Sequence, residues 1–151
     1  MNHLVDQAID VIMANDVTIR SCIDESIQAL VAAAEQLKNN YNSQFYTLSG
    51  REGRKRGSRM PSVRSRESQG GSTLEIRWMR VARVNDKTHR KSYSKGAGHG
   101  YSVGRITQGA AEWEVELVKE AEKQFTDIRK AYSQLGKMRK QCATLLQAVK
   151  C

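Results

Sequence analysis

The sequence predicts an α+β fold in which two long antiparallel helices flank a basic arm and a β-hairpin. Two observations indicate it. Apolar residues recur at steps of three and four in the first and last thirds of the chain, and they alternate with polar residues between these thirds. The 151 residues are within the usual size of one domain. We therefore expect residues 1–151 to form a single domain.

The first third predicts a helix over residues 3–47. Its apolar residues alternate between steps of four and three, at Ile23, Ile27, Leu30, Ala34, Leu37 and Tyr41. This heptad spacing places a narrow apolar stripe along one side of a helix, as in a coiled coil. A helix of about 40 residues is roughly 60 Å long at about 1.5 Å per residue.

Residues 48–72 predict a flexible basic arm. They contain very few apolar residues and the only proline of the chain, Pro61. Such a segment buries too little apolar surface to offset the entropy lost on ordering, so we expect it to stay flexible until it meets a partner.

Residues 73–95 predict a β-hairpin. Leu74, Ile76 and Trp78 alternate with charged residues, and the run is rich in β-branched and aromatic side chains. Turn residues follow at 85–87, after which the chain can return as a second strand. We expect Trp78 to anchor the hairpin on the helices rather than to stack on a base. Glycines then mark residues 96–106 as a loop.

The last third predicts a second helix over residues 107–150. Thr107 is a plausible N-cap, and Glu112, Glu114 and Glu116 suit the positive end of the helix dipole. The apolar stripe is Trp113, Leu117, Ala121, Phe125, Ile128, Tyr132, Leu135, Cys142, Leu145 and Val149. Paired antiparallel, two such helices form a coiled-coil-like stalk with a limited core, which favours a homodimer that shares a four-helix interface.

Positive charge is concentrated in the middle of the chain. The protein has 25 Lys+Arg and 16 Asp+Glu, a formal net charge of +9. By thirds, residues 1–50 carry −4, residues 51–105 carry +11 and residues 106–151 carry +2. A solvated surface usually mixes its charges, so this asymmetry indicates that the middle third contacts a polyanion.

A two-stranded β-ribbon fits the major groove of DNA, where the base edges carry a unique hydrogen-bonding code. Arg77 and Arg83 share one face of the predicted strand and Arg80 lies on the other, so we expect some of these arginines to read bases and others to hold flanking phosphates. The candidate DNA-binding residues of the hairpin and following loop are Arg77, Arg80, Arg83, Lys87, Arg90, Lys91, Lys95 and Arg105, and those of the arm are Arg51, Arg54, Lys55, Arg56, Arg59, Arg64 and Arg66.

The residue inventory does not suggest an enzyme. The three histidines are scattered, none beside a nucleophile, and the three cysteines have no zinc-type spacing. We expect no catalytic residue, metal or cofactor. No apolar run approaches the roughly 18–20 residues of a membrane span, and the first residues lack the basic start and apolar stretch of a signal peptide, so we expect a cytoplasmic protein with no membrane partner.

Three segments together resemble the MobI family of conjugative transfer proteins. They are the block Ser72–Trp78, the basic hairpin after it, and the helix start at Ala111–Glu114. The likeness covers roughly residues 72–135. It implies an accessory relaxosome protein, encoded on a conjugative plasmid or integrative conjugative element, that acts at the origin of transfer with a TraI-type relaxase. The resemblance supplies no catalytic motif.

We therefore expect a non-enzymatic protein that binds double-stranded DNA at the origin of transfer. Two alternatives stay open at this point. One is an RNA-binding regulator that uses the same basic hairpin. The other is a coiled-coil adaptor or chaperone for an acidic protein partner.

Overall fold

The computed structural model describes residues 3–50 and 56–150 as three helices and a three-stranded antiparallel sheet in the order β1-β2-β3. The elements are α1 (His3–Leu48), β1 (Arg59–Arg66), β2 (Thr73–Val84), β3 (Lys87–Ser92), α2 (Val103–Ile106) and α3 (Glu112–Lys150). The predicted α+β class with two long helices is confirmed.

The two long helices run in opposite directions. Near the end of α1, the ring of Phe45 meets that of Trp113 at the start of α3, with centroids 5.8 Å apart. Further from this contact, Asp24 of α1 accepts a hydrogen bond from the Ser72 amide at 2.8 Å, and Arg139 of α3 donates to the Ser72 carbonyl at 3.3 Å. Early α1 therefore lies beside late α3.

Trp78 anchors the sheet on the helix pair, as predicted. Its side chain is fully buried, between the edges of Tyr41 on α1 and Phe125 on α3, at centroid distances of 5.2 and 5.9 Å. Leu74 and Ile76 point to the same buried face of β2. T-shaped aromatic pairs contribute about 0.5–1.5 kcal/mol beyond their burial, so this cluster fixes where β2 lies.

The prediction of a flexible arm is wrong for residues 59–66, which form β1. This strand pairs with β2 from Arg59↔Arg80 to Arg66↔Thr73. Its ordering comes from the backbone ladder and from Met60 and Val63, which pack on the core. Local composition does not reveal a ladder to a distant strand. Pro61 is tolerated because edge strands accept a residue without an N–H. The arm residues at 51–55 lie outside the described residues.

Thr107 is not the N-cap of α3. Its hydroxyl donates to the Val103 carbonyl at 2.5 Å, so it closes the short helix α2 instead. The chain then turns through Gly109, whose φ of 78° is easily reached only without a side chain. Helix α3 begins at Glu112, with the Ala111 carbonyl accepting the first amide bonds.

Candidate nucleic-acid interface

The distal half of the hairpin projects beyond the rest of the sheet. β1 pairs with β2 only as far as Arg80, so residues 82–90, which we call the projecting ribbon, are two-stranded. Asn85 and Asp86 have φ values of 51° and 62°, the signature of a two-residue type I′ turn that keeps the strands twisted together. Every residue of the projecting ribbon is exposed.

The projecting ribbon and its base carry basic side chains on both faces. The strand register places Arg83 and Arg90 on the face turned away from the helices, and Lys87 and, at the base, Lys91 on the face that continues from Trp78. Within residues 3–50 and 56–150, none of these four basic side chains makes a hydrogen bond or ion pair. Their charges are therefore available to a polyanion.

Basic residues nearer the middle of the sheet are partly neutralised. Arg77 forms an ion pair with Glu75, and both side chains are about half exposed. Arg64 lies directly opposite Glu75 across the β1–β2 ladder, and Arg66 is exposed at the end of β1. One carboxylate thus lies among the three arginines of this sheet face, whereas the basic side chains of the ribbon form no ion pair within the described residues.

Arg59 is a structural residue, and its prediction as a DNA contact is wrong. The side chain is 6% exposed, and its Nη1 pairs with Glu114 Oε1 at 2.9 Å. Its Nε donates to the Ile106 carbonyl at 2.9 Å and its Nη2 to the Gln108 carbonyl at 2.7 Å. With its donors used inside the protein, Arg59 holds the turn around α2 against β1.

The remaining predicted positions differ in their surroundings. Lys95 donates to the Gly98 carbonyl within the glycine loop. Arg105 is exposed on α2, and Arg56 is exposed before β1. Arg51, Arg54 and Lys55 lie outside the described residues. The structure thus brings Arg105 towards the base of the ribbon and leaves Lys95 bonded to its own loop.

Two buried glutamates of α3 were missed by sequence reasoning. Glu114 is 1% exposed and accepts from the amides of Ser58 and Arg59 at 2.6 and 3.0 Å through Oε2. Glu122 is 3% exposed and accepts from the Trp78 indole N–H at 2.9 Å. A signal was present, because Glu114 and Glu122 flank Val118 at steps of four and so share its side of the helix.

Glu122 joins three parts of the fold. Its carboxylate forms a two-pronged ion pair with Arg129, at 2.9 and 3.0 Å. It also accepts from the Tyr101 amide of the glycine loop at 2.7 Å. Arg129 in turn donates to the carbonyl of His99 at 3.0 Å. Paired in this way, the buried charges position the glycine loop beside the sheet.

The buried phenol of Tyr41 stays a neutral donor. Burial, together with the nearby Glu114 carboxylate, raises the pKa of Tyr41 well above its usual range. The hydroxyl donates to the Arg59 carbonyl at 2.7 Å and so ties α1 to β1. Elsewhere, the hydrogen bond from the Ser72 amide lowers the pKa of the half-buried Asp24 carboxyl.

Other kinds of site are not evident in the described ranges. Among residues 3–50 and 56–150, no group of three or more His, Cys, Asp or Glu side chains is placed to hold a metal ion. No helix in this part of the chain is long and apolar enough to cross a bilayer.

The comparisons with known proteins agree with the resemblance noted in the sequence. No curated protein and no solved structure matches the chain. A family model described as MobI protein matches residues 30–143, about three quarters of the chain. The matched region contains the C-terminal part of α1, the whole sheet with its projecting ribbon, α2 and most of α3. The chain therefore belongs to the MobI family, a family of accessory mobilisation proteins in conjugative transfer.

Proposed function

We propose that this chain is a non-enzymatic cytoplasmic protein that binds double-stranded DNA at the origin of transfer and helps a TraI-type relaxase act there. The observation that carries the proposal is the projecting ribbon, which is two-stranded, exposed and basic, and whose basic side chains have no partners within the described residues. Membership of the MobI family supports the setting in conjugative mobilisation.

The dimensions of the ribbon suit the major groove. Paired strands lie about 4.7–4.9 Å apart, and the groove is about 12 Å wide and 8.5 Å deep, so two strands with their side chains fill it. Arg83 and Arg90 lie on one face of the ribbon, but Arg83 is two residues before the turn, whereas Arg90 is paired with Val81 at the base. A guanidinium group bonds guanine or phosphate through two parallel hydrogen bonds, so Arg83 is the candidate for base reading and Arg90 is a candidate for a contact to the bordering phosphates.

We further propose that two copies of the chain associate through the ends of their long helices. Val5, Ile12 and Ile19 recur every seven residues on α1, and Met138 and Leu145 do so on α3. All five are exposed except Ile12, which is half-buried. Exposed apolar rows of this kind, next to the stripe that packs α1 against α3 within one chain, are typical of four-helix interfaces.

Charge complementarity favours a second copy as the occupant of these rows. Residues 3–20 hold three aspartates and one arginine, whereas residues 137–150 hold four basic and no acidic side chains. A two-fold axis that places α1 of one copy along α3 of the other therefore pairs opposite charges. Such a dimer presents two ribbons, as an inverted-repeat site requires.

The DNA proposal is tested by titrating the protein into a labelled duplex from the origin of transfer and into a scrambled duplex, at about 50 and 200 mM salt. We expect the native duplex to be preferred at both salt concentrations. Loss of the base-reading Arg83 in the double variant Arg83→Gln/Arg90→Gln should lower the affinity for the native duplex by about 5- to 150-fold. The variant Lys119→Gln/Lys123→Gln removes the same charge from the exposed side of α3 and should bind like the wild type.

If the protein binds both duplexes with equal affinity and this binding disappears at the higher salt, the ribbon binds DNA only through non-specific electrostatic attraction. Displacement of the duplex by structured RNA would instead favour the RNA-binding alternative. Absence of any nucleic-acid binding would favour the adaptor for an acidic protein. Relaxase assistance is tested separately, by measuring nicking of the origin of transfer by the relaxase with and without this protein.

The dimer is tested by sedimentation of the full chain. We expect a dimer for the wild type and a monomer for Ile19→Glu/Leu145→Glu. Val11→Glu, at a residue 59% exposed and outside the heptad row, is the matched control and should stay dimeric. A monomeric wild type would refute this part of the proposal.

A further inference from the structure

Three basic side chains lie side by side across the sheet at the base of the ribbon. Arg59 of β1 is paired with Arg80 of β2, and Arg80 is paired with Lys91 of β3. Like charges directly opposite each other destabilise a sheet. Arg59 is neutralised by Glu114, but in the described residues Arg80 and Lys91 have no hydrogen-bond or ion-pair partner for their side chains. The strand register thus places the uncompensated positive charges of Arg80 and Lys91 side by side at the base of the ribbon.

A third cation converges on the same place. Arg80, Lys91 and Arg105 line a cleft of about 370 Å³ between the sheet and α2. The cleft is also lined by Ser94, a residue whose hydroxyl group can donate a hydrogen bond. We call this feature the basic cleft. It combines positive charge with hydrogen-bond donors, and the described residues that line it include no acidic side chain.

The wall of the basic cleft is held in place from inside the protein. Ile106 and Gln108 line it, and the carbonyls of both residues accept hydrogen bonds from Arg59 at 2.9 and 2.7 Å. Arg59 is itself fixed by the buried Glu114. Arg105 is therefore carried on a turn that is fastened to the sheet, which reduces the ordering that an incoming ligand must supply.

We infer that the basic cleft binds a phosphate group of the DNA backbone, an inference that rests on the proposed function. Arg80 precedes Arg83 by three residues, about 10 Å along a strand. This separation is close to the roughly 8.5 Å depth of the major groove. When Arg83 contacts the bases at the floor of the groove, Arg80 therefore lies at the level of the phosphodiester strand that borders the groove. A bound phosphate also offsets the repulsion between Arg80 and Lys91.

The first test compares DNA binding by Arg80→Gln/Lys91→Gln/Arg105→Gln with binding by Lys119→Gln/Lys123→Gln/Lys130→Gln, which removes the same charge from the exposed side of α3. The cleft variant loses the contact to one phosphate, which should lower affinity about eightfold at 0.1 M salt and reduce the salt slope by about 0.9. Because phosphate binding carries no sequence information, the cleft variant should weaken native and scrambled duplexes equally. The control should bind both duplexes like the wild type.

The second test needs no DNA. Inorganic phosphate should raise the melting temperature of the wild type above that in chloride of equal ionic strength, and the cleft variant should not respond. In chloride alone, Arg80→Gln should melt no lower than the wild type, because it removes a repulsive pair.

The two proposals fail in different ways. A cleft variant that binds both duplexes with wild-type affinity and salt slope, while the wild type binds DNA tightly, overturns the cleft assignment and leaves the proposed function standing. If inorganic phosphate raises the melting temperature of the wild type but the cleft variant binds DNA like the wild type, the cleft binds free phosphate rather than the DNA backbone, and the inference is also overturned. Absence of DNA binding by the wild type refutes the proposed function, and the inference about the DNA backbone with it.

Discussion

Replacing Glu122 with alanine removes the carboxylate that joins the sheet, the glycine loop and α3. In the wild type this carboxylate accepts hydrogen bonds from the Trp78 indole, the Tyr101 amide, the Thr126 hydroxyl and the Arg129 guanidinium, all at 2.7–3.0 Å. In the variant the guanidinium of Arg129, which is 10% exposed, has no carboxylate to balance its charge. The buried indole N–H also loses its acceptor.

The expected effect is large compared with the total stability. Removing one partner of a buried ion pair lowers the free energy of unfolding by about 3–5 kcal/mol, against a usual total of about 5–15 kcal/mol. With a denaturant dependence of about 2 kcal/mol per molar urea, the midpoint of unfolding should fall by about 1.5–2.5 M. Urea titration followed by far-UV circular dichroism measures this midpoint.

Glu120→Ala is the matched control, because Glu120 is an exposed glutamate of the same helix. Its free energy of unfolding should change by less than about 0.5 kcal/mol. A double-mutant cycle of Glu122→Ala with Arg129→Ala should give a coupling energy of at least about 1 kcal/mol. Equal midpoints for Glu122→Ala and Glu120→Ala would refute the role assigned to this carboxylate.

Three further predictions concern single side chains. Folding raises the pKa of Tyr41, so the free energy of unfolding should fall as the pH rises above about 10. In melting curves, Tyr41→Phe should make this fall shallower, and at neutral pH it should lower the free energy of unfolding by about 1 kcal/mol because the hydrogen bond to the Arg59 carbonyl is lost. The Ser72 amide lowers the pKa of Asp24, so this carboxylate stabilises the folded protein above about pH 4, and the stabilisation is lost as the pH falls through the lowered pKa of the folded state. Asp24→Asn should therefore make the loss of melting temperature at acidic pH shallower, and an unchanged pH dependence would contradict this. Asp16 is 5% exposed; its Oδ2 pairs with the Arg20 guanidinium at 2.8 Å, but its Oδ1 has no hydrogen-bond partner in the described residues. Because Arg20 is 41% exposed, this pair along the helix contributes only about 0.5 kcal/mol, less than the cost of burying the half-satisfied carboxylate, so Asp16→Leu should raise the melting temperature. A lower melting temperature would show that the carboxylate stabilises the fold.

The elements with a strong local period were predictable from the sequence. The three-four steps in the first and last thirds predicted two long helices, and the alternation of Leu74, Ile76 and Trp78 predicted the central strand and its anchor. These predictions succeed because a side chain's face depends only on its position along its own helix or strand. The segregation of positive charge into the middle third also follows from the sequence alone.

Only the tertiary structure decided which parts of the basic middle are ordered and which cations are free. Strand β1 forms by pairing with β2, a contact that its own polar composition does not indicate. Arg59 is removed from the surface by Glu114, 55 residues later in the chain, whereas Arg80, Lys91 and Arg105 converge on one cleft from three different elements. Such outcomes depend on the pairing of distant segments, and the electrostatic role of a side chain depends on which charges and hydrogen-bond partners that pairing brings beside it.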